Sequence, residues 1–405
     1  MTSNPSEVAA TRPASPATIP AAYATGYRKA AKLEPALAAA YIRHTTVGDP
    51  LADAVASDLR SFSPGQVHSL LAGVLQNPRE LPPDTPESLR RFIAEALEVP
   101  DWFDEEIAMI ASRAFLRNSD IVLAALVGGS IVEGFATLIS KSFRIRGRVT
   151  QSGVRRLKQN GLQLVEQYLP GGMSPLGDGW KLTLRVRLVH ARSRMLIGSS
   201  DEWSHERHGL PISAATVLLA GSAFSGRLMQ HVATLGGDFT REEREAYVHV
   251  WRYTGLLIGI PREILFRDEE SAVRAFEIGH VCEPPADEDA IIMANSIINS
   301  APLVIGVSEV EARRKLAGYA YQISRELIGD ELADTFLFPK AKRRAVPVLR
   351  VRNRVSRLVG RVVPRWRRTK DLDRFRALVD FVNLGRLDHS YGLPTALYDE
   401  ESSDW

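Results

Sequence analysis

The sequence has a single cysteine, Cys282, among 405 residues, which excludes a disulfide within the chain and a zinc site built from several cysteines. Charge of one sign is not in large excess: 51 basic residues stand against 48 acidic ones, a net charge of +3 that gives no reason to expect nucleic acid as a partner. The sequence also lacks the standard glycine-rich phosphate loops, the His-Glu-x-x-His zinc motif and the nucleophile elbow of hydrolases. These absences argue against the nucleotide, zinc and serine-hydrolase chemistries that those motifs carry.

The N-terminal region contains no apolar run of the length that a secretory signal needs and no twin arginine. Its proline, serine, threonine and alanine content predicts a flexible leader over residues 1–40 and a cytoplasmic protein. The apolar run of residues 121–140 has about the length of a bilayer span. It contains Glu133 and internal glycines, so we predict a buried core helix there instead.

Helix-start signals recur along the chain. In three places a capping side chain precedes a proline at the first helical position, and two further segments carry the capping-box pattern. Apolar residues then recur at intervals of three and four, the helical period. The best strand candidate, residues 182–188, alternates but fits a helical stripe as well. We therefore predict a mainly α fold from the signals Asp49-Pro50, Ser63-Pro64, Thr85-Pro86, Thr240 with Glu243, and Ser308 with Glu311.

Two further patterns in the sequence are weak indications of a metal site. His205 and His208 have the i, i+3 spacing of a ligand pair, but the sequence offers no identifiable third ligand. Cys282 follows Phe276 and Gly279 in a pattern close to that of thiolate-ligated haem proteins, but the spacing is one residue short, so we predict no thiolate ligand. A third signal, His190 among the four arginines of residues 185–194, reads on its own as a surface-helix histidine.

Several short motifs occur in a consistent order between residues 48 and 265. They are Gly48-Asp49-Pro50-Leu51-Ala52-Asp53, Val99-Pro100-Asp101-Trp102, Val186-Arg187-Leu188-Val189-His190-Ala191-x-x-Arg194, Trp203 with Gly209-Leu-Pro211, and Trp251-x-x-Thr-Gly-x-Leu-x-Gly259-Ile-Pro261. With these motifs the sequence resembles the latex-clearing proteins (rubber oxygenases) and the wider oxygenase family that includes the farnesyl-cleaving enzyme of mycophenolic acid biosynthesis.

The resemblance implies a b-type haem in a globin-like helical core with additional helices. It makes His190 the proximal iron ligand, and an imidazole is a common haem ligand. The haem propionates attract arginines, and Arg187, Arg192 or Arg194 could meet them, although one helix cannot point all three the same way. Of these we predict Arg187 and Arg194 as cofactor-binding residues.

The resemblance also indicates a distal side, where the family has an arginine, a lysine and a threonine. Arg156 stands at the arginine position, but Gln159 replaces the lysine and Asn160 the threonine, with Lys158 as a neighbouring substitute. We take Arg156, Gln159 and Asn160 as the catalytic candidates. The family's glutamate falls near Ser140, or at Glu133 if an insertion is allowed, and the apolar pocket candidates are Phe135, Phe143 and Leu162.

These features predict a haem b-dependent oxygenase, in an all-α domain over residues 41–335. It would use dioxygen to cleave a carbon–carbon double bond of a lipophilic small molecule, or to hydroxylate it; an isoprenoid or another secondary metabolite fits. The alternative is a non-catalytic helical interaction protein or haem carrier docked at a membrane surface, which the altered Gln159 and Asn160 keep open.

Residues 336–405 are predicted to form a basic amphipathic segment and tail. From Lys340 to Lys370 the sequence contains no acidic residue, and valines and arginines there form two helical stripes. One interpretation packs the valine stripe on the domain and leaves the arginines in solvent. The other is peripheral membrane contact through residues 346–368. Aromatic residues are limited to Trp366, which argues against nucleic acid.

Overall fold

The structure, a computed structural model, describes residues 19–146, 152–340 and 345–362, together with residues 373, 374, 378 and 393. Within these residues the secondary structure is helical and no strand occurs, so the predicted mainly α class is confirmed. The helices are α1 (Ala24–Leu33), α2 (Pro35–His44), α3 (Pro50–Asp58), α4 (Pro64–Gln76), α5 (Glu87–Leu97), α6 (Glu105–Ala125), α7 (Ile131–Gly134), α8 (Ile139–Arg146), α9 (Ser152–Tyr168), α10 (Asp178–Gly198), α11 (His205–His208), α12 (Ala214–Ser222), α13 (Leu228–Thr234), α14 (Arg241–Leu257), α15 (Glu269–Cys282), α16 (Glu288–Val304), α17 (Val310–Ile328), α18 (Asp330–Thr335) and α19 (Ala345–Val362).

Three of the predicted helix starts are confirmed. The Asp49 carboxylate accepts the backbone N–H of Ala52, and Ser63 and Thr240 form capping boxes, so each satisfies backbone donors that the first helical turn leaves open. The other two starts were predicted wrongly. Helix α5 begins after Pro86 without a side-chain cap, and α17 is capped by Glu309, whose carboxylate accepts the N–H groups of the next turn.

Helix α10 lies at the centre of the fold. No side chain between Gly179 and Gly198 is exposed, because α3, α9 and α14 pack around the helix. The strand candidate at residues 182–188 lies inside α10, so the helical alternative was the correct one. A helix buried on all sides explains why its sequence shows no clean polar face.

Helices α6 and α7 are joined by a π-helical turn, Leu126–Ser130, into one helical stretch from Glu105 to Gly134. By length and composition this stretch could cross a membrane, but 67% of its apolar window is buried inside the protein. It contacts α14 and a second π-helical turn, Ala223–Arg227. The run predicted as a core helix therefore packs in the core, although the helix ends at Gly134 rather than at residue 140.

The core crosses both predicted domain boundaries. Helix α1 and most of α2 fall within the predicted leader, yet Tyr23, Ala30 and Ala38 are buried in the main core, so the leader prediction is wrong from residue 19 onward. Residues 1–18 lie outside the described residues. At the other end, Ala345 and Val346 of α19 belong to the same core.

The first interpretation of α19, with its valine stripe packed on the domain, is wrong. The valines from Val348 to Val362 are exposed, whereas Arg350 and Asn353 turn inward and donate hydrogen bonds to the backbone carbonyls of Thr234 and Leu235. Residues 363–368, the end of the predicted membrane-contact segment, lie outside the described residues.

Candidate functional site

His190 lies two thirds of the way along α10. Its ring is partly buried and its Nδ1 atom is fully buried. The start of α10 is fixed by Trp180, whose indole Nε1 donates a hydrogen bond to the carbonyl of Ala96 at 3.3 Å. The imidazole therefore projects from a rigid central helix. The neighbouring sequence alone indicated a surface helix.

Helices α9 and α10 run antiparallel, since a short connection joins them and the end of α9 meets the start of α10. At the crossing, a Cβ on Gly179 would lie 2.9 Å from the Cα of Gln167, so only glycine allows this approach. The same number of residues separates Gly179 from His190 as separates Gln167 from Arg156. Because both helices rise about 1.5 Å per residue, Arg156, Gln159 and Asn160 lie near the level of His190 along the helix pair.

Arg187 is one turn before His190 and is buried. Its Nε and Nη2 atoms bind the two carboxylate oxygens of Asp49 at 2.6 and 3.0 Å, and Glu95 accepts from both Nη atoms at 3.1 Å. Burial alone would lower the pKa of Arg187, but Asp49 and Glu95 outweigh it and raise the pKa. Gly259, at φ +96°, closes the cluster, because a Cβ there would lie 2.3 Å from Oδ2 of Asp49.

Arg194 is one turn after His190 and is also buried. It binds the Asp53 carboxylate through Nη1 and donates to the carbonyl of Ile212 through Nε and Nη2, at 3.1 and 2.9 Å. Gly48 packs against this pair, since a Cβ there would lie 2.7 Å from Oδ2 of Asp53.

Arg187 and Arg194 therefore have a structural role that the sequence did not indicate. Both guanidinium groups are buried and paired with carboxylates, so they hold α10 against α3. Their predicted cofactor-binding roles stay predictions. Three of the sequence motifs meet here: the segment at residues 48–53, the segment at residues 186–194, and Gly259. Sequence reasoning missed the partners Asp49 and Glu95 because they lie far away in the chain.

The predicted catalytic residues lie on α9. Gln159, Asn160 and Lys158 are partly buried, and the side chain of Arg156 lies outside what the structure describes. Farther along α9, three polar side chains that the sequence reading did not single out are buried: Gln163, Glu166 and Gln167. A signal was present, because polar residues at these positions interrupt what would otherwise be an apolar helix face.

Glu133, one of the two candidates for the family's glutamate, lies in a buried ion cluster. Its carboxylate binds Arg227 Nε and Nη2 at 2.9 and 2.5 Å and lies 2.9 Å from Nε2 of His231. Burial would raise the pKa of Glu133, but His231 and Arg227 outweigh it and lower the pKa to about 2. Gly129 leaves room for the His231 ring, and the cluster joins the two π-helical turns. Ser140, the other candidate, is buried and donates to the carbonyl of Thr137.

The weaker metal signals remain set aside. Burial raises the pKa of Cys282 to about 12, so its thiol stays neutral at physiological pH. Burial lowers the pKa of His208 to about 4, while His205 contacts the carbonyl of Gly198. Among the residues that the structure describes, no three His, Cys, Asp or Glu side chains are grouped to hold a metal ion.

His190 is the residue of α10 whose chemistry suits a haem iron. It offers an imidazole on a rigid helix, with its Nδ1 atom buried. The apolar candidates Phe135 and Phe143 form an edge-to-face pair with ring centres 5.7 Å apart, and Leu162 is partly buried. Propionate contacts of Arg187 and Arg194 stay a prediction, since both guanidinium groups already bind carboxylates.

Comparison with known proteins gives three consistent matches. Residues 113–362 match the family model described as "ER-bound oxygenase mpaB/B'/Rubber oxygenase, catalytic domain". A rubber oxygenase of Streptomyces sp. (strain K30) is 26% identical over 209 residues, which cover 49% of this chain and 49% of that protein. The match thus spans about half the length of this curated relative.

The third match is to a solved structure of the latex-clearing protein in its closed state. The TM-score is 0.61 with 21% identity, and the match covers 88% of this chain and 95% of the other. At this identity the likeness is one of fold. It extends beyond the residues of the family match to most of the helical architecture described above.

Proposed function

Because this chain belongs to the family of mpaB-type and rubber oxygenases, we propose that it is a haem b-dependent oxygenase acting on a lipophilic, isoprenoid-like small molecule. The observation that carries the proposal is the position of His190. It lies on a central helix and its Nδ1 atom is buried. Along the axis of the helix pair it is at about the same height as residues 156–160 of the antiparallel helix α9. The family match covers both helices.

In this proposal, Nε2 of His190 holds the iron, while Nδ1 is buried within the protein. The haem would supply the redox chemistry by which dioxygen is added to the substrate. The pairs Arg187–Asp49 and Arg194–Asp53 fix α10 on both sides of His190, one turn before it and one turn after. The imidazole is thereby held in place before any cofactor binds.

For the distal side we propose Gln159 and Asn160, which supply neutral amide groups where the resemblance leads one to expect a lysine and a threonine. An amide can donate and accept hydrogen bonds but carries no charge, so it orients a bound molecule without adding a cation to the site. Lys158 is a poor replacement for a lysine at position 159, because adjacent residues on a helix point about 100° apart.

The apolar side chains predicted to line the pocket support the proposed substrate class. Phe135 and Phe143 pack edge to face, and Leu162 of α9 is partly buried. We propose that these side chains bind the hydrocarbon part of the substrate and exclude water from it.

Dioxygen uptake tests the proposal. Haem-loaded protein with a reductant should consume dioxygen faster when squalene or geranylgeraniol is added, and squalane, the saturated counterpart of squalene, separates double-bond cleavage from hydroxylation. The control is His190→Ala at the same protein concentration. If no isoprenoid raises uptake above that of His190→Ala, the oxygenase proposal fails, and the haem-carrier alternative that the neutral Gln159 and Asn160 favour takes its place.

A further inference from the structure

Helix α19 presents an apolar stripe to the outside of the protein. Its exposed valines are spaced three and four residues apart and lie on one side of the helix; we call them the valine face. Their exposed fractions are 64% for Val348, 59% for Val351, 52% for Val355, 39% for Val359 and 81% for Val362. Singly exposed apolar residues are ordinary on proteins, but a continuous helical stripe of them indicates an interaction surface.

The orientation of this helix is fixed by its inner side. Arg350 donates two hydrogen bonds to the carbonyl of Thr234, at 3.0 and 2.8 Å, and Asn353 donates one to the carbonyl of Leu235 at 3.1 Å. These carbonyls are among those that the end of α13 leaves without a partner in its own helix. Turning the valine face inward would break all three bonds.

Two further exposed apolar residues lie at and just before the start of α17, the helix on which α19 packs. The N–H groups of Ala345 and Val346 donate to Glu326 near the end of α17, and α19 then runs along α17 toward its beginning. Val310 at the start of α17 is 51% exposed, and Ile305 in the preceding turn is 66% exposed.

The charged residues beside the valine face indicate what kind of surface it binds. Arg352 and Arg354 are exposed and lie on either side of the stripe, and the sequence from Lys340 to Lys370 contains no acidic residue. A helix with an apolar stripe and basic flanks is typical of helices that lie in the interface of an anionic membrane. A second copy of this chain fits less well, because a two-fold contact through α19 would bring arginines of like charge together.

We propose that α19 docks the protein on an anionic lipid surface, with the valine face in the interface and Arg352 and Arg354 at the lipid headgroups. The inference goes beyond the proposed oxygenase function and does not depend on haem. An oxygenase for a lipophilic substrate gains from this location, because such a substrate concentrates in the lipid phase.

The test is co-sedimentation of the full chain with vesicles of phosphatidylcholine alone or with added phosphatidylserine. Wild-type protein should bind the phosphatidylserine vesicles and dissociate as salt is raised. The double variant Val351→Gln/Val355→Gln should bind at least about tenfold more weakly, since it removes apolar burial. The double variant Arg352→Glu/Arg354→Glu should lose at least as much affinity for these vesicles, because it reverses two charges. These substitutions are on exposed positions, so helix content and melting temperature should stay unchanged.

The matched control is Val99→Gln/Arg91→Glu, which changes an exposed valine and an exposed arginine elsewhere and should bind like wild type. Any of three results overturns the proposal. The first is that wild-type protein fails to bind phosphatidylserine vesicles, even if a chain ending at residue 362 binds them. The second is that the valine-face variant binds as well as wild type. The third is that wild-type protein is a dimer and the valine-face variant is a monomer.

Discussion

Replacing Arg187 with alanine should lower the free energy of unfolding by about 3–5 kcal/mol. The guanidinium is only 5% exposed and binds both oxygens of Asp49, which is itself 6% exposed. Alanine would leave the Asp49 carboxylate buried without its cation, and the hydrogen bond from Ala52 cannot replace two charged ones. The Arg187 guanidinium also lies 5.0 Å from the centre of the Phe92 ring, a contact that alanine removes.

Glu95 adds little to this magnitude, because its side chain is 54% exposed and a pair screened by water contributes about 0–1 kcal/mol. For a chain of this length the loss corresponds to a melting temperature lower by about 4–6 °C. Arg187→Ala and Asp49→Ala should also be strongly non-additive, since each variant breaks the same pair.

The assay is thermal and urea unfolding of the haem-free protein, followed by circular dichroism, with Arg91→Ala as the exposed control. The reasoning is refuted if Arg187→Ala unfolds like wild type in the absence of haem but binds haem much more weakly. That result would favour the propionate role that the sequence predicts for Arg187.

Three further predictions concern other buried sites. The pKa of Glu133 is lowered from 4.5 to about 2, so its contribution to stability is present above pH 4.5 and is lost as the pH falls through 2. Glu133→Gln should lower the free energy of unfolding by about 3 kcal/mol at neutral pH and make it depend less on pH between 4.5 and 2. Urea titrations at several pH values measure both effects. Cys282 should not react with Ellman's reagent in native protein and should react fully in urea, since its thiol is buried and its pKa is about 12; rapid native labelling would contradict this. Gly259→Ala should destabilise the protein by about 1–3 kcal/mol or more because of its positive φ and the contact with Asp49, whereas Gly65→Ala, with open space around it, should stay close to wild type in the same melts.

The fold class was predictable from local signals, because helix caps act within one turn. Asp49, Ser63 and Thr240 were read correctly for this reason. The two errors have local causes as well: α5 starts after Pro86 without a side-chain cap, and Glu309 caps α17 one residue after the predicted Ser308.

The candidate site was less predictable, because charge partners are set by tertiary contacts. The arginines of α10 were assigned to propionates, while the carboxylates that pair with them lie 138 and 141 positions away in the chain. Helix α19 shows the same limit. Its sequence indicated two faces but not which one is buried, and hydrogen bonds from Arg350 to the end of α13 decided the outcome.

The most direct test of the account is the visible spectrum and bound iron of protein purified from haem-replete cells or mixed with haemin. Wild-type protein should show a Soret band with about one haem per chain, His190→Ala should lose most of the band, and His205→Ala, an exposed control, should keep it. The account is contradicted if wild-type protein takes up no haemin, or if His190→Ala binds haem with an unchanged spectrum.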